Sequence, residues 1–196
     1  MTAQVADRFI YLGSPFHLAA YSNGELFYPD QHGYRPFPAS TACWRGYCCE
    51  YAVKNGRLVL HQLCINHDGG EAEQTAQTSP PALNSKPAAL STETHIGKWL
   101  FDDVSLPLDY SGGVVIGRDF IYSLYAHMGF HPAWKYETVY ELIFESGNLV
   151  HTSDLSHRMA EAREKIAKNP AEDIGDYSNE QIEQWIKNCF RRDYMR

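Results

Sequence analysis

The chain has 196 residues, 44% of them hydrophobic and 13% aromatic, which is enough to bury one sizeable core and excludes general disorder. A net charge of −7 excludes a general nucleic-acid binder, which neutralises phosphates with Lys and Arg, and accommodates a basic partner. No apolar run reaches the ~20 residues that span a bilayer, residues 1–7 lack the parts of a signal peptide, and five cysteines read as reduced thiols, so a cytoplasmic protein is expected.

In chain order, Phe9-Ile10-Tyr11-Leu12 reads as a short strand, and Phe16 to Tyr21 as a helical or irregular piece. Residues 22–39 hold Asn23-Gly24 and the breakers Pro29, Gly33, Pro36 and Pro38, which make a loop. Asn55-Gly56 then fixes a hairpin from about Trp44 to Ile65, because both residues accept the positive φ of a type I′ turn. A straight ladder from that turn pairs Val53 with Leu58, Tyr51 with Leu60, Glu50 with His61, Cys49 with Gln62 and Tyr47 with Cys64. Residues 68–94 are polar, with Gly-Gly and Ser-Pro-Pro, and read as a flexible surface insertion.

Beyond it, Trp99-Leu100-Phe101 and Val104 to Leu108 read as short strands, and residues 109–113 turn into Val114-Val115-Ile116. Asp119 to Met128 has helix-like apolar spacing that stops at Gly129. A second hairpin, Leu142 to Val150 around Ser146-Gly147, repeats the pattern of the first, so the two belong to one sheet. Two C-terminal helices follow. The first is capped by Ser153 or Asp154 with the stripe Leu155, Met159, Ala162 and Ile166; the second opens on the capping box Ser178 to Gln181. The expected fold is therefore a single α+β domain over residues 1–196. It has a mainly antiparallel sheet of hairpins, a short middle helix and two C-terminal helices packed on the sheet.

Four groups of residues bear on chemistry. Cys43, Cys48, Cys64 and His67 loosely match zinc-ligand spacing, but Cys48 and Cys49 alternate across a strand, and Cys43 to Cys49 extends over ~20 Å at the usual rise, so no metal is expected. Cys43 with His61, His127 or His131 offers a thiol and a base without any local signature joining them. Arg45, between Trp44 and Gly46, either presents its planar fork to an anion or bridges to Glu50, Asp102 or Asp103. Glu137, Glu141 and Glu145 share one strand face with Val139 and Ile143, which gives an acidic strip that a basic partner can meet.

The run Thr41-Ala42-Cys43-Trp44-Arg45-Gly46-Tyr47, with the Lys54-Asn55-Gly56-Arg57-Leu58 turn, resembles a group of uncharacterised bacterial proteins sharing this segment, strand, tight turn and strand. Tyr125 to Gly129 and the turn at Ser146 to Leu149 are similar in kind. The resemblance implies a bacterial origin and brings no activity, cofactor or catalytic residue.

The leading expectation is a small acidic interaction protein, of the kind that neutralises a bacterial toxin or regulates a protein partner with a basic surface. Trp44, Arg45, Glu137 and Glu141 are its contact residues. The alternative is an enzyme acting on an anionic small molecule with Arg45, His127 and Tyr125. No cofactor, nucleic acid or membrane enters either reading.

Overall fold

The computed structural model describes residues 2–67, 79–168, 184, 187–189 and 191–194. Its strands are β1 (Arg8–Tyr11), β2 (Ser14–Tyr21), β3 (Tyr47–Lys54), β4 (Arg57–Ile65), β5 (Ala89–Leu90), β6 (Trp99–Phe101), β7 (Leu106–Pro107), β8 (Gly112–Phe120), β9 (Tyr136–Glu145) and β10 (Asn148–Asp154). One α-helix, α1 (Ser156–Lys168), has defined bounds among the described residues. The sheet order is β10-β9-β8-β2-β1-β3-β4-β6-β5, with β7 also on β4. All neighbours are antiparallel except β1 and β3.

Both tight turns form as their sequences predict. Asn55 and Gly56 have φ of 51° and 76°, and Ser146 and Gly147 have φ of 45° and 77°. The two turns also touch: Asn148 pairs with Arg57, the Leu58 amide donates to Gly147 O and the Leu149 amide to Gly56 O, both at 2.8 Å. That contact closes β4, β3, β1, β2, β8, β9 and β10 into a barrel-like ring and removes an edge that would otherwise stand open. The inward residues of the ring, among them Phe9, Leu18, Tyr51, Leu60, Ile116, Leu142 and Phe144, form the main core, which Leu26, Phe27 and Tyr34 of the loop after β2 also enter.

The α+β expectation is overturned: the molecule is strand-dominated, built on one large mixed sheet. Phe16 to Tyr21 is not helical but strand, because Leu12 and Gly13, at φ of 50° and 73°, make a third two-residue turn and set Phe16 and Leu18 inward. The middle helix is absent as well. Asp119, at φ 61°, interrupts the chain, Phe120 completes β8, and only a 3-10 turn over Tyr122–Leu124 follows.

Helix α1 starts as expected, with the Ser156 amide donating to Asp154 Oδ1 at 2.8 Å, and seats Leu155 and Met159 on Val115, Tyr136 and Val139; Ile166, the last residue of the expected stripe, is exposed. The second expected helix falls largely outside the described residues, of which Gln184 and residues 187–189 are helical. Of the expected insertion, residues 68–78 lie outside the described residues. Within 79–94, Leu83 is buried and Pro81 O accepts from Tyr34 Oη at 2.9 Å. Among the described residues no helix is long and apolar enough to cross a membrane.

The first hairpin departs from a straight ladder. Val53–Leu58 and Tyr51–Leu60 pair as derived, but Glu50 then pairs with Gln62, Cys49 with Leu63 and Tyr47 with Ile65, which leaves His61 as a bulge. A straight ladder would turn Gln62 and Cys64 into the core. The bulge turns Leu63 and Ile65 inward in their place, and both are fully buried.

Candidate functional site

Three distant segments meet at Asp7, whose carboxylate is 1% exposed. Arg45 donates to it twice, from Nη1 at 3.1 Å and Nη2 at 2.7 Å, Arg192 Nη1 donates at 2.8 Å, and the Cys49 amide donates at 2.8 Å. Burial alone would raise the Asp7 pKa; the charges of Arg45 and Arg192 outweigh it and hold the carboxyl well below the usual carboxylate range. Phe130 lies under both guanidinium groups, at 5.7 Å from Arg45 and 4.4 Å from Arg192. Gly46 lets the Arg45 loop run against Phe37: its φ is 73°, and a Cβ there would sit 2.1 Å from Phe37 O.

The fork of Arg45 is therefore occupied by an acid, and that acid is Asp7, not Glu50, Asp102 or Asp103. The other expected site residues do not gather around it. Tyr125 Oη and His127 Nδ1 lie 3.1 Å apart on an exposed loop. Trp44 is 60% exposed. Glu137 pairs with Arg163 at 3.2 Å, and Glu141 accepts from Tyr194 Oη at 2.6 Å. The face expected to carry a solvated acidic strip thus also seats α1 and Tyr194 of the tail, with Glu137 still 60% exposed beside them.

The thiols separate as alternation demands: Cys49 enters the main core, while Cys43, Cys48 and Cys64 pack with Ile96 in a small cluster on the other face. Burial pushes all of these thiols up, so none is a thiolate at neutral pH. His67, the fourth residue of the zinc-like spacing, accepts from the Arg35 amide at 2.9 Å, and no group of three metal-ligating side chains exists among the described residues.

The unexpected feature is a pair of clefts that meet at His131. The segment from Phe120 to Lys135 crosses one side of the sheet, tied to the N-terminal segment by the Gln4 amide on Gly129 O at 2.7 Å and to the tail by the Phe130 amide on Cys189 O at 2.8 Å. On its one side opens a cleft of about 450 Å³ walled by His17, Phe120, Tyr122, Tyr125, His131 and Tyr136. Their rings interlock: His17 stacks on Tyr136 at 5.8 Å, and Phe120 and Tyr125 lie 4.8 and 5.2 Å from the His131 ring.

Every titratable group of that wall whose pKa is displaced is uncharged at neutral pH. Burial lowers His131 to about 4, aided by Lys135 and His17, and lowers His17, aided by Arg8. Burial lifts Tyr136 to about 12 and Cys48 well above an ordinary thiol. The charged side chains that line the cleft, Arg8 and Glu93, face each other at 3.8 Å, and Arg8 is further committed to Glu50 at 3.1 Å and Gln62 at 2.7 Å. His131 Nδ1 is buried without a hydrogen-bond partner. Sequence reading reached Tyr125 and His131 but not His17, Asp7 or Arg192, whose partners are far away along the chain.

No protein-family model, curated protein or solved structure matches the chain.

Proposed function

We propose that this chain is a binding protein and not an enzyme, and that its ligand is a small uncharged planar molecule held in the aromatic cleft. The observation that carries this is His131: a neutral imidazole without a protein partner for its buried nitrogen, in a wall of aromatic faces. Leaving such a nitrogen unpaired costs about 1–3 kcal/mol, which a ring that reorients His131 and hydrogen-bonds to it removes. The same wall is poorly suited to catalysis. A nucleophile needs an ionised or base-activated group, and the Cys48 thiol keeps its proton and donates a hydrogen bond to Ala6 O at 3.2 Å; a general base works best with a pKa near ambient pH, far above that of His131. Buried free thiols and a charge of −7 support action in the cytoplasm, away from nucleic acid.

The test is a titration of the protein with indole, quinoline and benzimidazole, observed at the imidazole resonances of His17 and His131. One of them binds with Kd below about 1 mM, and Tyr125→Ala weakens it by about tenfold or more through the lost stacking face. If none moves either imidazole, the reading fails.

A second reading keeps a protein partner, such as a toxin to be neutralised, and rests on Trp44 and Phe37, 60% and 45% exposed on neighbouring loops. It no longer draws on Glu137 and Glu141, which are engaged within the fold. Loss of a co-purifying partner on Trp44→Ala, with cleft binding intact, is its signature.

A further inference from the structure

The second cleft, about 400 Å³, lies across His131 from the aromatic one and is walled largely by Ala19, Ala20, Met128, Phe130 and Trp134. Into this apolar space the chain places Lys135, only 6% exposed, at the end of a 3-10 turn over Ala133–Lys135. Its backbone is fixed at both groups: the amide donates to Pro132 O at 3.0 Å, and its carbonyl accepts from Ile121 at 2.9 Å. Its ammonium has no such fixture. Nζ sits 5.3 Å from the Trp134 ring, and among the described residues no carboxylate lies within 4.0 Å of it. The other charges of the cleft are already matched, Arg191 with Asp193 at 2.5 Å and Arg192 with Asp7 at 2.8 Å.

A lysine whose side chain is buried among apolar groups without a counter-charge is expensive, and proteins otherwise supply a partner acid. Here the fold supplies an apolar chamber of ligand size in place of that acid. We propose that this cleft binds a small carboxylate with an apolar body, whose head group pairs with Lys135 Nζ while its body lies against Phe130, Trp134 and Met128. A single cation in an apolar wall selects a monoanion that carries its own hydrophobic part, so a bare anion such as phosphate, which needs several donors, is a poor occupant. Burial lowers the Lys135 pKa, with the Cys189 thiol group opposing, and a bound carboxylate restores the ammonium's stability. The proposal does not rest on the ligand of the aromatic cleft.

The intact protein is titrated calorimetrically with phenylacetate, its uncharged twin phenylacetamide, and inorganic phosphate. Phenylacetate binds at least about tenfold tighter than the amide, and phosphate gives no saturation. Lys135→Met abolishes the preference for the acid, whereas Tyr125→Ala, in the other cleft, leaves it in place. Ala126 is an exposed residue that also lines this cleft, and Ala126→Trp blocks phenylacetate and serves where Lys135→Met does not fold. Equal affinities for acid and amide, saturable phosphate binding, unchanged phenylacetate binding in Ala126→Trp, or no phenylacetate binding up to about 10 mM would each overturn the proposal.

Discussion

Two buried polar regions lie at either side of Phe130, and they are built in opposite ways. Around Asp7, every charge meets its complement: Arg45 and Arg192 converge on one carboxylate, and Glu25 adds contacts to Arg192 at 3.8 Å and to Tyr47 Oη at 2.6 Å. Around His131 and Lys135 the fold supplies no such complement: His131 Nδ1 is buried without a partner, and among the described residues no carboxylate lies within 4.0 Å of Lys135 Nζ. A polar group that the chain satisfies itself holds the fold together. One that it leaves unsatisfied beside an open cleft can pair with a bound molecule.

Asp7 carries the largest expected effect. Asp7→Asn leaves two buried guanidinium groups facing a neutral amide, and a loss of about 3–5 kcal/mol is expected in denaturant unfolding. A loss below 1 kcal/mol would mean that the centre is not structural.

The next effect is on pH dependence. The folded pKa values of His17 and His131 are depressed, His131 to about 4, so the unfolded chain binds more protons once pH drops below its ordinary histidine value of about 6.5. Stability therefore falls on acidification from about 6.5 to about 4, above the range in which Asp7 protonates on unfolding. His131→Phe flattens this slope, and an unchanged slope by thermal unfolding at several pH values would place the burial elsewhere.

Lys135→Met gives the contrast in sign. No partner is orphaned and the desolvated charge is gone, so the ligand-free protein melts at the same temperature or higher. A clear drop would show that the fold satisfies the ammonium after all. The smallest effect belongs to Glu137→Gln, which breaks a half-exposed pair with Arg163; less than about 1 kcal/mol is expected by the same melting measurement.

Local features were the legible ones. Asn55-Gly56 and Ser146-Gly147 announce their turns because the conformation each needs is one that only a few residues tolerate, and α1 is announced by Asp154. Alternation likewise sorted Val139 and Ile143 from Tyr140, Leu142 and Phe144. It said which residues share a face but not what packs beside them, so it does not show that Glu137 pairs with Arg163 of α1 or that Glu141 accepts from Tyr194 of the tail.

Leu12-Gly13 was missed as a turn, since Leu rarely takes positive φ, and with it went β2. The bulge at His61 was invisible for a different reason: only the competition between Gln62 and Leu63 for the core decides it. The Asp7 centre was the least legible, because its ion pairs join residues 38 and 185 positions apart and nothing local marks them.

That longest pair has a consequence for how the chain is made. At ribosomal rates of about 5–20 residues per second, Asp7 leaves the ribosome roughly 10–40 s before Arg192 does. In that interval Arg45 alone faces two acids, Asp7 and Glu25, and the strands around them assemble over an unbalanced charge. Arg192 completes the balance only after the 185 positions that separate it from Asp7 have been added. A product cut short before that residue keeps both hairpins and the barrel sequence yet lacks the cation that settles its interior, so the ring of strands and its charge balance are laid down by stretches of chain made at different times.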